Sequence, residues 1–201
     1  NIYLGTFIIA FTTLALEISL SRLLSVMMWY HLAFFAVSTA MLGMTAGAVT
    51  VYLKEKWFSY DKFDINLAKI SLIYSISIPV SLIILCLVQV SVGSSIMKYF
   101  ALLFITILCA LPFYFSGIII SAILSKYPLP VGKLYSSDLI GAALGCLFVL
   151  AGLEYFDAPG FIILCGAISM LSVFVFAHKV QVFKFRKISI LLMILFSGLA
   201  A

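Results

Sequence analysis

The chain has 201 residues, of which 65% are hydrophobic and only 9% are charged, whereas a soluble domain is typically about 45–50% apolar and about 25% charged. This composition excludes an ordinary soluble domain, so the formal net charge of +5 predicts how the chain is oriented in a membrane rather than a nucleic-acid partner. We expect a membrane protein whose main partner is the lipid bilayer.

Long apolar runs divide the sequence into segments that suit membrane-spanning helices, which need about 20 residues to cross a hydrocarbon core of about 30 Å. Continuous apolarity over such spans excludes the alternating strands of about ten residues that build an outer-membrane barrel. The predicted fold is therefore an all-α, polytopic transmembrane helical bundle of about seven helices over residues 1–201. The predicted helices are Tyr3 to Met27, His31 to Leu53, Ala68 to Val90, Tyr99 to Leu124, Tyr135 to Leu153, Pro159 to Ala177, and Ile188 to the end.

The first predicted helix carries two charges, Glu17 and Arg22, inside its apolar run. A charged residue at the bilayer centre costs about 2.5–3.5 kcal/mol on insertion scales, so such residues usually have a partner or a function. Five residues turn a helix through about 500°, or about 140° net, so the two side chains do not stack as an i, i+4 pair would. We expect each of them to find partners on other helices.

The second predicted helix begins at His31, on the same side of the bilayer as Arg22. Together with Glu17, these residues predict a polar intramembrane cluster that binds a charged solute or passes protons. The alternative is structural: Glu17 and Arg22 fasten the first helix to its neighbours, and His31 lies at the membrane interface. The sequence leaves both alternatives open because it identifies no fourth member of the cluster.

Helix packing is predicted by two Gly-x-x-x-Gly pairs, a spacing that lets two membrane helices approach closely. Gly43 and Gly47 lie in the second predicted helix, and Gly141 and Gly145 lie in the fifth. Pro112 falls inside the fourth predicted helix, where the missing N–H predicts a kink.

The start of the fifth predicted helix combines Tyr135 with Asp138. A serine or aspartate just before an apolar run caps the free amides of a helix start, and a negative charge suits the positive end of the helix dipole. We expect this helix start to lie on the cytoplasmic side.

The lysines and arginines predict the topology. If alternate loops lie on one face of the membrane, that face receives 10 of the 12 basic residues, and the positive-inside rule makes it cytoplasmic. The prediction is a multi-pass protein of the inner (cytoplasmic) membrane with a cytoplasmic N-terminus. The chain lacks an initial Met and ends within an apolar run, so we expect a fragment that at least one more helix follows.

The sequence contains no recognisable catalytic motif. The sequence has no phosphate-binding glycine motif and no His/Cys cluster with metal spacing. The four cysteines, Cys86, Cys109, Cys146 and Cys165, lie in apolar runs without Cys-x-x-Cys spacing. We therefore predict no metal, no cofactor and no catalytic residue in this region.

Several stretches resemble the membrane region of spermidine-synthase-like integral membrane proteins, in which a helical bundle precedes an aminopropyltransferase-type domain. The stretches are Leu14 to Ser25 (LALEISLSRLLS), His31 to Ala48 (HLAFFAVSTAMLGMTAGA), Leu111 to Ile120 (LPFYFSGIII) and Gly132 to Gly152 (GKLYSSDLIGAALGCLFVLAG). The resemblance implies that a cytoplasmic enzyme domain follows, and none of that domain's catalytic residues falls in this chain.

The leading functional hypothesis is a membrane anchor that also holds a polyamine or another small solute, with Glu17 attracting the cationic amine and His31 modulating it by protonation. Asp138 would act in the same way from the cytoplasmic side. A second hypothesis is a non-enzymatic subunit of a larger membrane complex, in which other subunits or further copies of the chain contact the glycine faces. A secondary transporter is a third, disfavoured because the sequence shows no internal repeat.

Overall fold

The computed structural model describes residues 2–27, 33–58, 63–87, 95–177, 189–194 and 198. Almost all of these residues are helical, and none of them lies in a β-strand. The long helices are α1 (Ile2–Met27), α2 (Ala33–Leu53), α3 (Phe63–Leu87), α4 (Ser95–Lys126), α5 (Val131–Tyr155) and α6 (Ala158–Ala177), and a short 3-10 helix covers Glu55–Phe58.

These helices confirm the predicted all-α bundle. Six of the described helices are long and apolar enough to cross a bilayer, so the chain is a multi-pass membrane protein. The seventh predicted helix lies partly outside the described residues, and the part within them, 189–194, is helical.

Helix starts differ most from the prediction. Helix α3 begins at Phe63 rather than Ala68, and α5 begins at Val131 rather than Tyr135. At α5 the extended Pro130 is the N-cap residue, and its carbonyl oxygen accepts hydrogen bonds from the backbone N–H groups of Lys133 and Leu134. Both helices therefore extend past the apolar run into polar sequence, because an interfacial first turn tolerates charged residues such as Asp64 and Lys133.

Helix α1 lies at the centre of the bundle and packs chiefly against α5 and α6. Tyr3, Phe7 and Phe11 of α1 meet, in that order, Ser137, Gly141 and Gly145 of α5, so these two helices run parallel and in register. Helix α6 runs the opposite way, because Gly5 of α1 meets Phe176 whereas Ala15 packs with Cys165.

Helices α2 and α4 form a second parallel pair. Gly43 faces Ala110, and Gly47, one turn later, faces Tyr114. Helix α3 packs between α4 and α6, with Pro79 against Gly166 of α6.

The two ends of the bundle differ in charge. The start of α1 lies at the same end as the start of α5, and only four residues connect α5 to the end of α4. This end carries five lysines of the described ranges and is called the basic end: Lys54, Lys56, Lys69, Lys126 and Lys133. The charged residues of the described helices toward the opposite end are Glu17, Arg22, Lys98, Glu154 and Asp157.

Candidate functional site

Glu17 lies at the edge of the buried side of α1. Of the residues three, four or seven positions from it, Ala10, Thr13, Leu20 and Leu24 are buried, whereas Leu14 and Ser21 are half-buried. Glu17 itself is half-buried. The structure thus places a carboxylate at the edge of the core-facing side of a helix that is long and apolar enough to span the membrane.

Arg22 does not share this position. It is exposed and lies on the outer stripe of α1 with Leu4 and Val26. Its Cα is about 7.5 Å along the helix axis from that of Glu17 and about 140° around it. The structure does not bring the two charges together, and the third member of the predicted cluster, His31, lies outside the described residues.

Within the described parts of the chain, no hydrogen bond or salt bridge connects Glu17 with another residue. A carboxylate in apolar surroundings loses hydration that no protein group replaces, which makes its charged form expensive. An incoming cation compensates this loss directly. Two half-buried carboxylates among the described residues are in this situation, Glu17 in the middle of α1 and Asp138 near the basic end.

A buried hydroxyl cluster lies one turn from Glu17. The Tyr74 hydroxyl of α3 lies 3.1 Å from Thr12 Oγ1 and 3.2 Å from Thr13 Oγ1. All three residues are fully buried, and each threonine also donates to a backbone carbonyl of its own helix, with Thr13 Oγ1 2.7 Å from the oxygen of Ile9. The cluster joins α1 to α3 in the core.

Ser71 lies one turn before Tyr74 on α3 and is also fully buried. Among the buried side-chain oxygens and nitrogens that the structure describes, Ser71 Oγ alone has no hydrogen-bond partner. Its neighbour Ser75 instead donates to the carbonyl oxygen of Ser71 at 3.0 Å. The sequence prediction missed both Tyr74 and Ser71, for which the signal was a series of hydroxyl residues along the apolar run of α3.

Tyr135 and Asp138 do not lie at a helix start. Because α5 begins at Val131, Tyr135 falls in its second turn and Asp138 close to the end of that turn. No side chain caps the helix, so the predicted capping role is wrong. Tyr135 is exposed and Asp138 is half-buried.

The glycine pair of α5 faces α1. A Cβ atom added at Gly141 would overlap the carbonyl oxygen of Phe7, and one added at Gly145 would overlap that of Phe11. One turn earlier, Ser137 Oγ donates a hydrogen bond of 2.6 Å to the carbonyl oxygen of Tyr3. Small residues every four positions therefore bring the two helix backbones into direct contact.

The glycine pair of α2 faces α4 in the same manner. A Cβ atom at Gly43 would lie 2.5 Å from the carbonyl oxygen of Ala110. In return, Gly117 of α4 accommodates the backbone of Met44. Beyond this contact the hydroxyl groups of Thr50 and Tyr114 lie 3.0 Å apart.

Metal-binding and redox groups do not assemble in the described part of the chain. It contains no group of three or more His, Cys, Asp or Glu side chains that would hold a metal ion. The four cysteines, all within the described ranges, form no disulfide.

No family model matches this sequence, and no curated protein or solved structure matches it either.

Proposed function

We propose that this chain is the multi-pass inner-membrane domain of a spermidine-synthase-like protein, and that it acts as a membrane anchor with a site for a small cationic solute of the polyamine class at Glu17. The family assignment is supported by the sequence resemblance described above. The cytoplasmic N-terminus is supported by the lysines of the basic end, which the positive-inside rule assigns to the cytoplasm.

The observation that carries the solute site is the position of Glu17. Its carboxylate is half-buried at the edge of the core-facing side of α1, in the middle of the helix, and has no partner among the described residues. An alkylammonium group restores the lost hydration energy by pairing with this carboxylate, and the apolar surroundings accommodate the methylene groups of the amine. Arg22 does not compete for the carboxylate because it lies on another face of the helix.

Spermidine binding to the purified full chain tests this proposal. We expect spermidine at 100 times its Kd to stabilise the wild type against unfolding by about 2.7 kcal/mol. Glu17→Gln should abolish that stabilisation, because the neutral amide keeps the shape of the side chain and removes its charge. The matched control is Glu154→Gln, which removes an exposed carboxylate near the end of α5 and should leave spermidine binding unchanged.

Two results would reject the solute site. One is equal stabilisation of wild type and Glu17→Gln, and the other is equal loss in Glu17→Gln and Glu154→Gln, which would indicate nonspecific attraction of a polycation. The anchor and family proposals are tested separately, by sequencing the reading frame downstream for a strand followed by a glycine-rich turn. The subunit and transporter alternatives stay predictions.

A further inference from the structure

A groove lies on the side of the bundle, next to the contact between the first turns of α1 and α5. Its volume is about 470 Å³, and it is lined by Tyr3, Leu4, Phe7 and Ser137. These residues belong to the first two turns of α1 and the second turn of α5, so the groove lies near the basic end. Volumes of about 300–1,000 Å³ are typical of small-molecule sites.

The side chains that line this groove are mainly apolar. The hydroxyl group of Ser137, which belongs to this lining, is already bonded to the carbonyl oxygen of Tyr3. One turn deeper, Gly141 packs on the backbone of Phe7, so the two helices are in direct contact there. Leu4 is 50% exposed, so the groove opens sideways, toward the lipid that surrounds the bundle. Such a shape suits a hydrocarbon chain rather than a water-soluble metabolite.

Lysines lie beyond the end of the groove that is nearer the basic end. Lys133 lies one turn before Ser137 on the same face of α5, and it is exposed. No hydrogen bond or salt bridge involving its amine is shown with any other described residue. Lys54 and Lys126 lie at the same end of the bundle. Asp138 follows Ser137 directly, but it lies about 140° around the helix from Lys133.

We propose that this groove binds one anionic phospholipid, with an acyl chain along Tyr3, Leu4 and Phe7 and the phosphate beside Lys133. The apolar lining, the lateral opening and the unpaired lysine at the level of the lipid headgroups together match this amphipathic, negatively charged ligand. A lysine near the membrane surface contributes about 1 kcal/mol to attraction for anionic lipid. The site is independent of Glu17, which lies ten residues, or about 15 Å, farther along α1 than Phe7.

Native mass spectrometry of the purified full chain tests the lipid site. The protein is released from micelles that contain equal amounts of phosphatidylglycerol and phosphatidylcholine with the same acyl chains. We expect one phosphatidylglycerol to stay bound to the wild type and Lys133→Gln to weaken its binding about fivefold, the factor that corresponds to about 1 kcal/mol. Leu4→Trp fills the groove and should lower the occupancy by either lipid.

Lys69→Gln is the matched control, since Lys69 is an exposed lysine at the same end of the bundle but on α3. It should keep the phosphatidylglycerol affinity of the wild type. An equal loss of phosphatidylglycerol affinity in Lys69→Gln and Lys133→Gln would overturn the proposal and would indicate attraction by diffuse surface charge. Equal binding of the two lipids by the wild type would overturn the role of the phosphate, and full occupancy in Leu4→Trp would overturn the role of the groove.

Discussion

Gly145 lies so close to Phe11 that a Cβ atom added to the glycine would overlap the phenylalanine's carbonyl oxygen. The neighbouring atom is backbone, so no side-chain rotation relieves the overlap. Gly145→Val should therefore push α5 away from α1 and lower the free energy of unfolding by about 1–3 kcal/mol, the range for overpacked cores. Thermal unfolding in detergent measures the change.

Gly132→Ala is the control for this substitution. No other group lies within 4 Å of a Cβ atom at Gly132, and alanine favours the helix by up to about 1 kcal/mol over glycine. This variant should be as stable as the wild type or more so. A Gly145→Val variant with unchanged stability would show that the two backbones are not in contact there.

Tyr74→Phe should lower the free energy of unfolding only slightly, although Tyr74 is fully buried. The hydroxyl that it removes contacts Thr12 and Thr13, but both threonines keep hydrogen bonds to carbonyl oxygens of α1. Hydrogen bonds between membrane helices contribute about 0.6 kcal/mol on average, so we expect a loss of about that size. Tyr74→Ala also removes the buried ring and should cost about 3–5 kcal/mol. Equal losses in the two variants, measured by unfolding in detergent, would contradict this account of the cluster.

Ser71→Ala should leave stability unchanged or raise it by up to about 1 kcal/mol, because the deleted hydroxyl is buried without a partner. Ser75→Ala serves for comparison. Its hydroxyl donates to the carbonyl oxygen of Ser71 within the same helix, so its removal should lower the free energy of unfolding by about 0.5 kcal/mol, the lower end of the range for an intramolecular hydrogen bond. If Ser71→Ala unfolds more readily than Ser75→Ala, an internal water molecule bound to Ser71 is the explanation.

Cysteine labelling tests the orientation of the bundle. Ser136 and Asp157 are exposed near opposite ends of α5, so cysteines there report on opposite membrane faces once the exposed Cys86 has been replaced by alanine. The positive-inside rule predicts that Asp157→Cys reacts with an impermeant maleimide in intact cells and that Ser136→Cys reacts only after permeabilisation. The reverse pattern would place the basic end outside, and the chain lacking both new cysteines gives the background.

The helices were predictable because apolar runs of membrane-spanning length leave few alternatives. The residues at which the helices start were harder to predict. Helix α5 begins after Pro130, within polar sequence, where hydropathy does not mark the helix boundary. The Gly-x-x-x-Gly spacing predicted close helix contacts but not their partners, since Gly43 and Gly141 occur in the same motif and meet different helices. Partner choice depends on the shapes of both surfaces, which one segment of sequence does not contain.

The helix period alone was enough to separate Glu17 from Arg22, because the angle between two residues on one helix depends only on their spacing. The Tyr74 cluster was not predictable in the same way. A hydroxyl residue in an apolar run is compatible with facing lipid, water or another helix, and only the arrangement of α1 and α3 selects the last of these.

The contact between Tyr3 and Ser137 joins residues that are 134 positions apart. At the usual synthesis rate of about 5–20 residues per second, α1 leaves the ribosome roughly 7 to 27 seconds before this partner. During that interval the parts of α1 around Gly5 and Phe11 lack the helices against which they pack in the bundle. The carboxylate of Glu17 is likewise not yet surrounded by the complete bundle. A defect in α5 thus prolongs the exposure of α1 to the insertion machinery and to membrane proteases, because α1 reaches its final packing only after both α5 and α6 have been made.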